Sequence, residues 1–133
     1  MKKSVLEIYA LAVCFFTVAC FVIVTGMAIW EVVRLSAPEF TLSSFLWQQH
    51  QTDDAFKTKL VNEHRYVAEK HTYTPPEGTE LTKARETSFA QAIASERRTA
   101  SQDLIRNLII LLIDGLVFVV HWKIAIRARQ SAG

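Results

Sequence analysis

Apolar and polar positions divide this chain into three parts. No charged residue occurs from Ile8 to Trp30. Wound as a helix, a run of that length crosses a hydrocarbon core of roughly 30 Å. A second apolar run extends from Leu104 to Ile126, interrupted by Arg106, Asn107, Asp114, His121 and Lys123. The stretch between them is polar and carries charges of both signs. The pattern predicts a short N-terminal segment over 1–7, a first transmembrane helix over 8–33, and a helical extramembrane part over 34–103. A second transmembrane helix over 104–126 and a C-terminal tail over 127–133 complete it.

Punctuation refines the middle. Pro38 disfavours helix at Ala37, so the first helix ends or kinks there. A short helix follows from around Thr41 to Ser44 and carries "FLWQQHQ". "TDDAFKTKLVNEHRYVAEKH" reads as a helix over 53–71, with Thr52 or Asp53 as its N-cap and acids in its first turn. Phe56, Leu60 and Val67 recur on one face of it. "TYTPPEGTE" is the strong breaker, with Pro75, Pro76 and Gly78.

Beyond Thr79 there is no proline, and no glycine before Gly115. Leu81, Phe89, Ile93, Ala100 and Leu104 keep an approximate helical stripe. One helix is therefore expected from Thr79 to about Arg129, roughly 75 Å long and continuous from the extramembrane part into the membrane. A polar helix of that kind has little to hold it by itself, so it is expected to pack against 53–71 as an antiparallel stalk. The fold class is all-α, a two-span transmembrane hairpin carrying a helical stalk. No strand with convincing alternation and no repeat is found.

The polar residues of the second span carry the candidate chemistry. Arg106 and Lys123 suit the two interfaces, because long basic side chains snorkel. Asp114 lies midway between them and is too short to reach water. Placing Asp at the centre of a spanning helix costs about 3 kcal/mol, so it is expected to face protein or a wet cavity rather than lipid. Asn107, Asp114 and His121 are seven residues apart and share one stripe, drifting only ~20° per heptad. In the first span Ala12, Ala19 and Gly26 also recur by seven, and Thr17 adds a hydroxyl. Small residues let helices approach closely in lipid. Thr17 and Ala19 are therefore expected near the depth of Asp114, with Thr17 as a hydrogen-bond partner. Trp30 and Trp122 take positions expected of interfacial aromatics.

Charge adds orientation. Lys2 and Lys3 precede the first span, and Lys123, Arg127 and Arg129 follow the second, which places both termini in the cytoplasm. Arg34, Arg97, Arg98 and Arg106 near the opposite ends reduce that asymmetry. The first run exceeds the usual signal-peptide core, and Pro38 follows the small-residue candidate Ala37, so an uncleaved anchor is expected. Cys14 and Cys20 sit six apart on different helix faces and cannot bridge each other.

The net charge of +2 with no Lys/Arg cluster gives no nucleic-acid footprint. His64 and His71 offer one helix face and no thiolate nearby, a weak metal pattern. No glycine-rich phosphate loop, serine elbow or cysteine–histidine arrangement occurs. Neither a cofactor nor an enzymatic activity is expected. A carboxylate in the second span resembles the proton-carrying subunits of rotary rings. Those have a short polar loop where this chain has about 70 residues, so the resemblance ends at one residue. In general organisation the chain resembles small bacterial two-span proteins, which implies a bacterial cytoplasmic membrane. The expected partners are the lipid bilayer and either further copies of the chain or a larger membrane complex. The expected role is structural or accessory, through the Asn107–Asp114–His121 face. Ion or proton conduction through Asp114 is the alternative.

Overall fold

The structure, a computed structural model, describes residues 5–67 and 74–131. The described elements are five helices: α1 (Val5–Ser36), α2 (Pro38–Thr41), α3 (Ser44–Gln49), α4 (Asp53–Val67) and α5 (Thr79–Ser131). No strand occurs among the described residues. Two helices, α1 and α5, are long and apolar enough to cross a membrane.

Local chemistry sets the helix ends. The helical pattern of α1 reaches the Ala37 N–H, which donates to the Val33 carbonyl at 2.8 Å. Ala37 then takes φ −133° and ψ 64°, outside the helical region, and Pro38 opens α2 as its first residue. Proline lacks the N–H that a first-turn residue would leave unsatisfied anyway. Ser43 caps α3 by accepting from the Leu46 N–H at 3.3 Å. Thr52 caps α4 by accepting from the Ala55 N–H at 3.2 Å. Gly78 has φ +61°, a conformation side chains resist, and its carbonyl accepts from the Thr82 N–H in the first turn of α5. The expected single long helix is present, reaching Ser131 rather than Arg129. Gly115 does not interrupt it. At 1.5 Å per residue its 53 residues measure about 80 Å.

The chain divides into two compact units. The first joins residues 1–32 to 100–133, so it contains most of α1 and the C-terminal part of α5. Here the buried positions of α1 are Glu7, Ala10, Cys14, Thr17, Ala28 and Glu31. Glu7, Ala10, Cys14 and Thr17 are spaced by three, four and three, and Ala28 and Glu31, eleven residues on and three apart, fall in the same register, the period of a left-handed helix pair. The facing part of α5 buries Ala100, Asn107, Ala125 and Ala128, on the same period. Large apolar side chains point outward instead. Phe15 is 70% exposed and Leu112 64%.

The second unit spans residues 33–99. Its centre is aromatic and polar together. Phe56 and Leu81 are buried, and so is His50. The His50 ring lies 5.5 Å from the Phe56 ring and 5.6 Å from the Phe89 ring, centroid to centroid. The Arg85 Nε–H donates to Asp53 at 2.7 Å, and its Nη1–H donates to the His50 carbonyl at 2.8 Å. The Thr82 hydroxyl donates to the other oxygen of Asp53 at 2.7 Å. These hydrogen bonds hold the Asp53 carboxyl below its ordinary range, Thr82 contributing most and Arg85 next. Lys57 does the same for Glu77 across 2.8 Å.

Helix α4 is joined to α5 within this unit. Hydrogen bonds from α4 to α5 are formed at Asp53 and at Lys59, whose ammonium donates to Ser88. Helix α4 also packs on the short α3. On the face expected from Phe56, Leu60 and Val67, Phe56 is buried and Leu60 half-buried. The Val67 side chain, and the end of the predicted helix over 68–71, lie outside the described residues.

Candidate functional site

The polar residues predicted for the second span fall on one side of α5, but their surroundings differ. Asn107 is the most enclosed, with 1% of its surface exposed. Its Nδ2 has no hydrogen-bond partner among the described residues. A buried amide left without a partner costs about 1–3 kcal/mol.

Asp114 lies seven residues on and is half-buried. Its Oδ2 is also without a partner. The carboxyl lines an open groove of about 230 Å³, together with Thr17, Val18, Phe21, Gly115 and Phe118. The lining is otherwise hydrocarbon except for Thr17. The expected Thr17–Asp114 hydrogen bond is not formed by the Thr17 hydrogen. That hydroxyl donates to the Cys14 carbonyl of its own helix at 2.9 Å. A threonine in an apolar helix has a backbone carbonyl always within reach, and takes it. Thr25 does likewise, donating to the Phe21 carbonyl at 2.7 Å.

His121 is half-buried, its ring edge-on to Tyr9 with centroids 6.0 Å apart. Its Nδ1 is 2.8 Å from the Val117 carbonyl. A carbonyl only accepts, so Nδ1 carries the hydrogen and Nε2 is the remaining ring nitrogen. Cys14 approaches the Phe118 carbonyl at 4.0 Å. Position 9 thus meets 121, 14 meets 118, and 17 shares a groove with 114.

Ala19 is exposed, as are Ala12 and Gly26, and a Cβ placed on Gly26 would meet nothing within 4 Å. The stripe of small residues on the inner face is instead Ala10, Cys14, Thr17 and Ala28. Glu7 and Glu31, buried at the two ends of that stripe, were not singled out from the sequence. Their three–four register with Ala10 and Ala28 is the signal that finds them. Of the expected anchors, Trp30, Trp122, Arg106 and Lys123 are all exposed. Arg106 pairs with Asp103 one turn away at 3.0 Å.

His50 also escaped the sequence reading. Its Nδ1–H donates to the Leu46 carbonyl at 2.7 Å, leaving Nε2 to accept from the Ser88 hydroxyl at 3.0 Å. Lys59 in turn donates to Ser88 at 3.3 Å. The donor order matches a serine–base pair, yet the imidazole is 4% exposed and flanked by two aromatic rings. Its chemistry is cohesion. Among the described residues no group of three His, Cys, Asp or Glu is placed to hold a metal ion. His71 lies outside them.

No family model, curated protein or solved structure matches the chain.

Proposed function

We propose that this chain is a two-span integral membrane protein with a non-enzymatic role. It serves as a structural or accessory subunit that assembles with further copies or with a larger membrane complex. In this reading α1 and the C-terminal part of α5 form the membrane hairpin of a bacterial cytoplasmic membrane. Both termini face the cytoplasm, and residues 34–103 lie outside. Trp30, Arg106, Trp122 and Lys123 anchor the interfaces.

One observation carries the assembly reading: the Asp114 carboxyl lines an open groove with an oxygen that nothing in the described chain satisfies. In hydrocarbon such a group needs a donor. Within the chain, the Thr17 hydrogen and the His121 Nδ1–H are already committed. Asn107 is seven residues away, about 10 Å along the axis, and enclosed by its own chain. The stripe therefore divides its labour. Asn107 serves the contact between the chain's own helices, and Asp114, its Oδ2 buried as well, borders the groove through which a partner's donor approaches.

The same unsatisfied oxygen favours a second reading, an oligomeric proton or cation conductor using Asp114. Two variants separate the readings. Asp114→Asn keeps hydrogen bonding and loses ionisation, while Asp114→Leu loses both. For an assembly role, complex size in mild detergent is kept in the Asn variant and reduced in the Leu variant. An interhelical hydrogen bond in a membrane is worth ~0.6 and at most ~1.7 kcal/mol, so the shift is up to about twentyfold in association. For conduction, the Asn variant abolishes flux and leaves the complex intact. Wild-type size and flux in the Leu variant contradict both. Reporter fusions at Gly78 and Gly133 test the topology. They are expected on opposite sides, and cytoplasmic signals from both refute two spans.

A further inference from the structure

Immediately after α1, the second unit contains an open cavity of about 760 Å³. Its apolar lining includes Phe40, Leu42 and Trp47; Ser36, Glu39 and Arg97 add polar groups. The volume lies in the range of small-molecule sites. Phe40 is 77% exposed and Trp47 38%. The Trp47 ring is held edge-on to Phe89, with centroids 5.8 Å apart. Two short helices thus present large aromatic faces outward in a unit whose other buried groups are well satisfied.

Chain position says what such a surface meets. Phe40 is four residues beyond Ser36, the last residue of α1. At no more than ~3.6 Å per residue it lies within about 14 Å of the helix end. Resting on the membrane reading above, that is within reach of the headgroup layer flanking the hydrocarbon core. Tryptophan favours that layer, where its ring is buried and its N–H stays wet. Aromatic and aliphatic lining at that depth matches one occupant in particular, a phospholipid, whose glycerol and upper acyl region suits Phe40, Leu42 and Trp47.

We infer that residues 38–48 form an additional, interfacial membrane contact, in which the Phe40–Trp47 cavity seats a phospholipid. The test uses the full chain in vesicles with bromines placed high on the acyl chains, which quench only tryptophans they approach. Trp30→Phe with Trp122→Phe leaves Trp47 as reporter. Trp30→Phe with Trp47→Phe leaves Trp122. Trp47 is expected to lose most of its emission, and Phe40→Ser in that background to weaken the quenching. Quenching of Trp122 with an unaffected Trp47 overturns the inference while the membrane reading stands. Trp47 shielded from aqueous iodide but untouched by bromolipid overturns it too, since protein then covers the cavity. If neither tryptophan is quenched, the membrane reading itself fails.

Discussion

The two units solve opposite problems. In residues 1–32 with 100–133, the inner face is small and partly polar, and the outer face carries Leu, Ile, Val and Phe. In residues 33–99, Phe56, Leu81 and His50 are inside, and ion pairs such as Arg34–Glu96 at 2.8 Å link the elements. Helices in lipid gain nothing by hiding Leu from hydrocarbon, so close approach of small residues decides how they pair. In water, burial of aromatic area decides it. On the membrane reading proposed above, one chain follows two packing rules, and the change of rule falls inside α5, between Thr99 and Ala100.

The largest expected effect tests the aqueous rule. Phe56 is 2% exposed. Phe56→Ala should destabilise the second unit by about 3–5 kcal/mol, read as loss of amide-exchange protection across α3 and α4. Leu112→Ala, at 64% exposure in the first unit, should leave exchange in α1 unchanged. Comparable losses for both would erase the distinction between the units.

A smaller effect tests the lipid rule. Ala10 is fully enclosed. Ala10→Leu should overpack the seam and cost about 1–3 kcal/mol. The readout is bifunctional crosslinking of Cys14 to Phe118→Cys in a Cys20→Ala background, which should fall in yield. Ala19→Leu, on the exposed face, should leave that yield unchanged. If Ala19→Leu lowers it equally, the seam runs through Ala12, Ala19 and Gly26 instead.

The smallest effect concerns acid. Asp53 and Glu77 have carboxyls held below their ordinary range in the folded chain. Their contribution is complete above the unfolded-state values, about 4, and is lost as pH falls through the lower folded values. Thermal melts of the second unit should therefore weaken below about pH 4, and Asp53→Asn should flatten that slope. A slope unchanged in both Asp53→Asn and Glu77→Gln would show that neither carboxyl carries it.

What the sequence disclosed follows the same division. The Thr52 cap, the break at Pro38 and the start of α5 at Thr79 were legible because turn and cap chemistry is local. The Asn107–Asp114–His121 stripe was legible because polar residues are rare in an apolar run. The inner face of α1 was not. With apolar residues on every side, periodicity has nothing to contrast, and Ala12, Ala19 and Gly26 look as suitable as Ala10, Cys14 and Ala28. Only the acids at Glu7 and Glu31 mark the register, and they stand outside the uncharged run. The Lys59–Ser88–His50 chain was hidden for another reason. Its members are 29 and 38 residues apart along the sequence, and no local pattern announces such a meeting.

The three–four register from Glu7 to Glu31 has a consequence for how this sequence can change over time. A straight helix would carry that stripe around its axis by about 70° across 24 residues, so the pair must coil to keep it in place. Substitutions on the outward face leave the register untouched, and a drift from Ile to Val or Leu there is nearly neutral. A one-residue deletion between Thr17 and Ala28 is different in kind. It rotates everything beyond it by about 100°, turning Ala28 and Glu31 out of the seam together. A seven-residue change restores the angle but alters the length of the span. Descendants of this chain should therefore differ freely in spelling along α1 while agreeing in its count.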